Sequence, residues 1–344
     1  MKATVMLGSS RPGGLDVSFH GLARQTFRDW ELVFVDARYH RRHAQVLDAW
    51  DRACAEAGTR VPLIHVPNHR NQSSPWQVNC AGFNTGFMLA AGENVVMLLD
   101  YGWCPPDWLE RHVRAHEGGR RIVLAPHDYR PLPAVRTRDG APPWQFYEGH
   151  IGRSPEAILA ERDRYDEISI FAESFDPQKL GDSSAPPHCD PKMFMPEGPC
   201  AGMPFHTKNE SFPTDVALDV NGMDEHFDRM GGPGDPEFGY RLERAGLQPW
   251  LTHAVVACPN PRWVMPNPNA ASHYDKPLPG HEWRGCYLDG ERYYTDSNAE
   301  GRRRARNPYE LRERREAIWH WRDESQKREA VIPYVEVPDA EYWR

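Results

Sequence analysis

The chain holds few cysteines, no excess of positive charge and no long apolar run, and each shortage removes a class of protein. Its 7 Cys among 344 residues form no Cys-x-x-Cys pair, so neither a disulfide framework nor a zinc ribbon is signalled, and a reducing cytoplasm fits. His188, Cys189, Cys200 and His206 lie close enough in sequence for a zinc cluster, but ordinary loop thiols are the commoner meaning of that spacing. No apolar segment is long enough to span a bilayer, and Met1-Lys-Ala-Thr-Val-Met-Leu7 enters a strand rather than a signal peptide, so a soluble cytoplasmic protein is expected. A formal charge of -8 argues against a surface given over to nucleic-acid phosphates. The basic exception is Gly301-Arg-Arg-Arg-Ala-Arg306. Alternating acids and bases follow it as far as Arg322, which reads either as a solvated helix laced with ion pairs or as a phosphate-binding patch.

What is present is enough for a sizeable core: 40% apolar residues, with 12 Trp and 13 Tyr whose flat faces suit core packing and, at a site, stacking on sugars or bases. Short apolar runs at 3–7, 31–36, 63–66, 94–100 and 121–125 predict buried strands. The segments 43–57, 79–91 and 106–117 predict helices between them, the alternation of a nucleotide-binding α/β half. From about Arg130 the chain becomes irregular and proline-rich, as a pocket built from loops would be. Regularity returns at Asp219, through a helix ending at Gly246 and a strand from Gln248 to Val256. The expected division is a domain over 1–258, with a nucleotide half to about 130 and an acceptor half from 131, followed by an extension over 259–344 that carries a charged helix. No internal repeat is visible.

The densest motif is Asn221-Gly-Met-Asp-Glu-His-Phe running into Gly231-Gly-Pro-Gly-Asp-Pro-Glu-Phe-Gly-Tyr-Arg-Leu-Glu-Arg-Ala-Gly246. Its glycines permit positive φ, its prolines stiffen the turn, and a helix starts there, which places Asp235 at the helix mouth. Such an Asp is either an N-cap or a functional carboxylate.

This stretch resembles the turn of family 2, GT-A fold glycosyltransferases that reads Gly-Gly-Glu-Asp-x-Glu-Phe-Gly-Tyr-Arg-Leu and carries the catalytic base; Gly234 replaces the Glu before the Asp. Four more segments match in order, so that the resemblance covers roughly residues 1 to 255. They are Ser9-Ser-Arg-Pro after the first strand, the strand ending at Asp36, Asn79-Cys-Ala-Gly-Phe-Asn84 at the start of a helix, and Val95-Val-Met-Leu-Leu-Asp100. The resemblance implies an α/β fold of GT-A type, a Rossmann-like mixed sheet flanked by helices, with an irregular C-terminal extension. It implies an inverting hexosyl- or pentosyltransferase using a nucleoside-diphosphate sugar, UDP-linked in most such enzymes. Asp235 would be the general base, Glu237 would bind the acceptor, and Ser9, Arg11, Asp36, Asn79, Asn84 and Asp100 would hold the donor. Small residues around Asn84 would let that helix approach the sheet closely.

Members of the family end the fourth strand in Asp-x-Asp, because a divalent ion on the diphosphate needs hard oxygen ligands. Here the motif is Asp100-Tyr-Gly102, which leaves Asp100 as the clear ligand for Mn or Mg, with His273 as a stand-in for a C-terminal His. Each assignment has a structural counterpart: Asp36 capping a turn, Asn84 packing a helix, His273 pairing with Asp275, Asp107 serving its helix N-terminus. The acceptor is a saccharide or small molecule by default. Two alternatives stand beside it: a hydroxylated base in DNA, as for phage DNA-modifying transferases, with the Arg cluster on phosphates, and a non-catalytic glycan- or nucleotide-binding protein on the same scaffold.

Overall fold

The five expected strand runs all form strands, and their order in space puts Ser9, Asp36 and Asp100 along one edge. The computed structural model describes residues 1–9, 15–70, 80–100, 102–130, 188–189, 192, 195–200, 205, 207–225, 227, 234–259 and 303–335. Its main sheet has eight strands in the order β3-β2-β1-β4-β9-β5-β10-β8. These are β1 (Ala3–Ser9), β2 (Trp30–Asp36), β3 (Leu63–Val66), β4 (Asn94–Leu99), β5 (Arg121–Leu124), β8 (Gly198–Pro199), β9 (Glu210–Pro213) and β10 (Gln248–Leu251). All neighbours are parallel except at β9 and β8, which run antiparallel to the strands beside them. A second sheet joins β11 (Val256–Pro259), β6 (His127–Arg130) and β7 (His188–Cys189). The fold is thus a mixed α/β sheet flanked by helices.

Residues alternate between two cores, as a pleated sheet covered on both faces requires. Val5, Leu7, Leu32, Phe34, Leu63, Val96 and Leu98 face one core, beneath α1 (Leu15–Ala23), α2 (Tyr39–Glu56) and α4 (Trp108–His116). Met6, Val33, Val35, Ile64, Val95 and Met97 face the other, beneath α3 (Cys80–Leu89), α5 (Thr214–Asp219), α6 (Gly234–Arg244) and α7 (Leu311–Ile318). Buried Tyr39, His43, Val46, Ala49, Trp50 and Cys54 recur at three- and four-residue steps along α2, and Trp50 meets Phe19 and Trp30 edge-on. Side chains of this size contribute about 1.5–3 kcal/mol each when buried. The helix stops where Gly58 takes φ 63, a conformation open to glycine at no steric cost.

Two expectations change. The single strand expected over 248–256 is two, because the chain bends after Leu251 and β11 joins β6 in the other sheet. The charged helix is also not a solvated appendage. Leu311, Ile318, Trp321 and Ile332 belong to the core on the α3 side, with α8 (Trp321–Glu324) following α7. Asp107 does stand at the start of α4, with no side-chain cap bond. Its carboxylate takes Arg111 Nε at 2.7 Å instead.

Candidate active site

Parallel strands place their C-terminal ends on one edge, where ligands of open α/β sheets collect. Ser9 is in register with Asp36 and Gly8 with Leu99, so Ser9, Asp36 and Asp100 stand side by side. Ser9 Oγ donates to Asp100 Oδ2 at 3.0 Å, both side chains buried.

Asp36 is fully engaged by the protein. Oδ1 accepts the backbone N–H of Arg38 at 2.8 Å and Arg42 Nη2 at 2.7 Å, while Oδ2 accepts Arg42 Nε at 2.7 Å and His65 Nε2 at 2.9 Å. Burial alone would raise this carboxyl, but the Arg42 charge and the bonds from His65 and Arg42 outweigh it and hold it well below the usual carboxylate range. A carboxylate has about four acceptor positions, and here protein donors take four. These bonds tie β2 to α2 and β3. His65 Nδ1 in turn meets His43 Nδ1 at 2.8 Å, and His43 Nε2 donates to the Lys327 carbonyl at 2.9 Å.

Asn84 is likewise held by protein partners. Its Nδ2 donates to the Met223 carbonyl at 2.9 Å and Glu225 Oε1 at 3.0 Å, and its Oδ1 accepts the Met223 N–H at 2.7 Å. It staples α3 to the segment ahead of α6. A Cβ on Gly222 would lie 2.2 Å from that Oδ1, so the glycine is required for the staple. Around it, Arg70 donates to Glu225 Oε2 at 2.6 Å, and the Tyr309 hydroxyl bonds both Glu225 Oε1 and, at 2.7 Å, His69 Nε2. Burial lowers His69 to about 4 against the opposing pull of Glu225, which leaves the ring neutral at pH 7. Glu237 is likewise clamped: Arg241 Nε and Nη2 reach its two oxygens at 2.6 and 2.8 Å, and Arg241 Nη1 donates to the Val220 carbonyl. The pair is a buried brace inside α6.

Asp235 is different. The helix starts at Gly234, two residues earlier than an N-cap at 235 requires, and the carboxylate points to Thr207. The Thr207 hydroxyl donates to Oδ1 at 3.0 Å and its backbone N–H to Oδ2 at 3.2 Å. Burial pushes the carboxyl up to about 6; Thr207's two bonds and Lys208 pull against that rise, and the Glu210 charge adds to it. Its place follows from the sheet. Antiparallel β9 pairs Ser211 with Val96 and Glu210 with Leu124, so the residues before it, 207–209, run past the C-terminal end of β5 and toward that of β4. That is the edge where Asp100 stands.

Sequence reasoning passed over Thr207, Asn209, Glu225 and Tyr309, whose partners are 28 to 240 residues away in the chain. Arg11, Asn79, His206 and His273 lie outside the described residues. No three His, Cys, Asp or Glu side chains gather into a metal site among the described residues. Of the expected ligands Asp100 is described, while the side chain of Cys189 lies outside the described ones. No helix of the described residues is long and apolar enough to cross a membrane.

No protein-family model matches the chain, and no curated protein matches it in sequence. Among solved structures it is similar to S. aureus TarS, with 12% identity and a TM-score of 0.45 over 77% of this chain and 38% of that one. It is also similar to TarS 1–349 in complex with UDP, at 12% identity and TM-score 0.46, and in complex with UDP-GlcNAc, at 12% and 0.47. Those two matches cover 77% and 76% of this chain and 62% and 59% of theirs, so the chain spans less than two thirds of the structures it resembles.

Proposed function

We propose that this chain is an inverting glycosyltransferase that moves a sugar from a nucleoside-diphosphate donor to a hydroxyl of a saccharide or small-molecule acceptor, with Asp235 as general base. The observation that carries this reading is the Asp235 carboxylate. It is half-buried, raised to about 6 and held by Thr207 at the same sheet edge as the Ser9–Asp100 pair. A base that titrates just below neutrality is ionised at pH 7 yet still a competent proton acceptor. In the proposed step Asp235 takes the proton of the acceptor hydroxyl as its oxygen bonds to the anomeric carbon. The bond from that carbon to the diphosphate oxygen breaks, and the nucleoside diphosphate leaves with the electron pair from the opposite face. Ser9 and Asp100 are assigned to the donor. A divalent ion, Mn or Mg, belongs to this reading with Asp100 as its ligand, and no step is derived through it.

Release of UDP from UDP-glucose, UDP-galactose and UDP-GlcNAc, measured with Mn and with EDTA, tests the proposal. Wild-type protein is expected to release UDP from at least one donor, and Asp235→Asn to lose about 10²–10⁴ of that rate while still binding UDP. Binding of UDP with no release from any donor would mark the chain as a binding protein. An Asp235→Asn variant that keeps more than about a tenth of the rate would remove Asp235 as the base.

A further inference from the structure

We infer that Thr207 is the positioning residue of the base, gripping both oxygens of Asp235 with its own two donors. The inference rests on Asp235 being the base and adds what aims it. The hydroxyl and the backbone N–H of this one residue reach Oδ1 and Oδ2 at 3.0 and 3.2 Å. The carboxylate therefore cannot turn about its last bond without breaking one of the two bonds. Each oxygen keeps a second acceptor position, and an incoming hydroxyl needs one of these.

A clamp positions only as well as it is itself held, and the segment of Thr207 is fixed from several sides. Asn209, two residues on, donates to the carbonyls of Pro126 and Ala254 at 2.8 and 2.7 Å. Its Oδ1 accepts Trp108 Nε1 at 2.8 Å and His112 Nε2 at 3.1 Å. This fully buried amide thus ties together the ends of β5 and β10 and one face of α4. Glu210 Oε2 accepts the N–H groups of Lys208 and Asn209, closing the turn between the clamp and β9. Aiming of this kind matters because displacement of a reacting group by about 1 Å can cost about 10²-fold in rate.

Among the described residues the charged groups facing the pair are few. Lys208 and Glu210 come from the clamp segment, with Lys192 Nζ 3.6 Å from Glu210. On α6 itself Glu237 is neutralised by Arg241. The neighbour from α3 is Cys80, whose sulfur lies 2.7 Å from where a Cβ on Gly234 would be.

The test is a carboxyl titration followed by carbon-13 NMR on protein labelled at aspartate Cγ, with the signal missing from Asp235→Asn assigned to Asp235. In wild type it should titrate near 6. Thr207→Val removes the hydroxyl at nearly constant shape and should raise that midpoint by about one unit. It should also lower UDP release from a UDP-sugar at pH 7 about tenfold, with Thr207→Ser close to wild type in both. If the valine variant is insoluble, Thr207→Ala gives the same two readings. An Asp235 midpoint that does not move when the hydroxyl is lost overturns the clamp. A moved midpoint together with wild-type turnover in Asp235→Asn overturns the base assignment and leaves the clamp standing, so the two failures are distinguishable.

Discussion

A carboxyl that titrates near 6 in the folded chain and near 4 in the unfolded one works against folding at neutral pH. Below pH 4 both states are protonated and Asp235 contributes nothing. As pH rises from about 4 to 6 the unfolded state releases its proton first, so stability falls; above 6 the full cost is present, at most about 3 kcal/mol for two units. Asp235→Asn should therefore unfold at higher urea than wild type at pH 8 and gain little at pH 4. Equal midpoints at pH 8 would mean that the carboxylate is already well solvated. A residue that costs stability and is nonetheless rigidly held is of the kind expected at a working site. At this scale the sequence is a good guide to position and a poorer one to hydrogen-bond partners. Strand ends place Ser9, Asp36 and Asp100 on one edge, because a strand's period and direction are written in its apolar run. Arg241 stands four residues after Glu237 on one helix, a spacing that allows their pairing, but nothing local to Asp36 announces that Arg42 will take both oxygens, and for Asn84 the partners lie 139 and 141 residues away.

Elements were read well where burial decides them and poorly where pairing does. The five parallel strands and α2, α3 and α4 follow from apolar period. Strand β9 does not, since Glu210–Pro213 owes its place to β4 and β5 on either side, and the bend after Leu251 reflects two sheets competing for one run. The small residues of α3 were legible for a physical reason, since a helix can approach a sheet closely only where its side chains are short. Gly86 shows the limit of that approach: a Cβ there would sit 2.1 Å from Met6 Sδ and 2.6 Å from Met6 Cγ. Met6 is buried on β1 and has little room to yield. Gly86→Ala, although alanine favours helices by about 1 kcal/mol over glycine, should destabilise the fold by about 1–3 kcal/mol through overpacking. Thermal unfolding would measure this, and an unchanged or higher midpoint would show that α3 has slack against the sheet.

Across the whole molecule, the segment 303–335 completes the part built from the first hundred residues. Glu31 is a buried carboxylate on β2 that accepts Thr4 Oγ1 and the Ala91 N–H, both at 2.8 Å, and its counter-charge is Arg322, with Nη1 at 3.0 Å from Oε1. Arg322→Ala would strand that charge, and losing one partner of a buried pair typically costs about 3–5 kcal/mol. A loss under about 1 kcal/mol in urea titration would mean that the segment packs without anchoring. The same engagement bears on the acceptor. Sequence alone left the basic run open to phosphates, because charge order along a chain does not show which acids fold back onto it. In the structure Arg304 pairs with Glu310, and Arg306 Nε lies 2.9 Å from the buried carboxylate of Asp224. Two of the cations counted toward a DNA surface are thus already neutralised, within a chain of net charge -8. Phosphate contacts show themselves as a loss of affinity with salt, each cation contributing about 0.9 to the logarithmic slope. We expect no retention of a labelled duplex in a gel-shift series at low ionic strength, and no change when Arg303, Arg304 and Arg306 are replaced by Ala, although the last replacement should cost stability by removing the Arg306 charge from the buried Asp224. Retention that weakens with salt, and whose slope shrinks in the triple variant, would instead make DNA the acceptor to pursue.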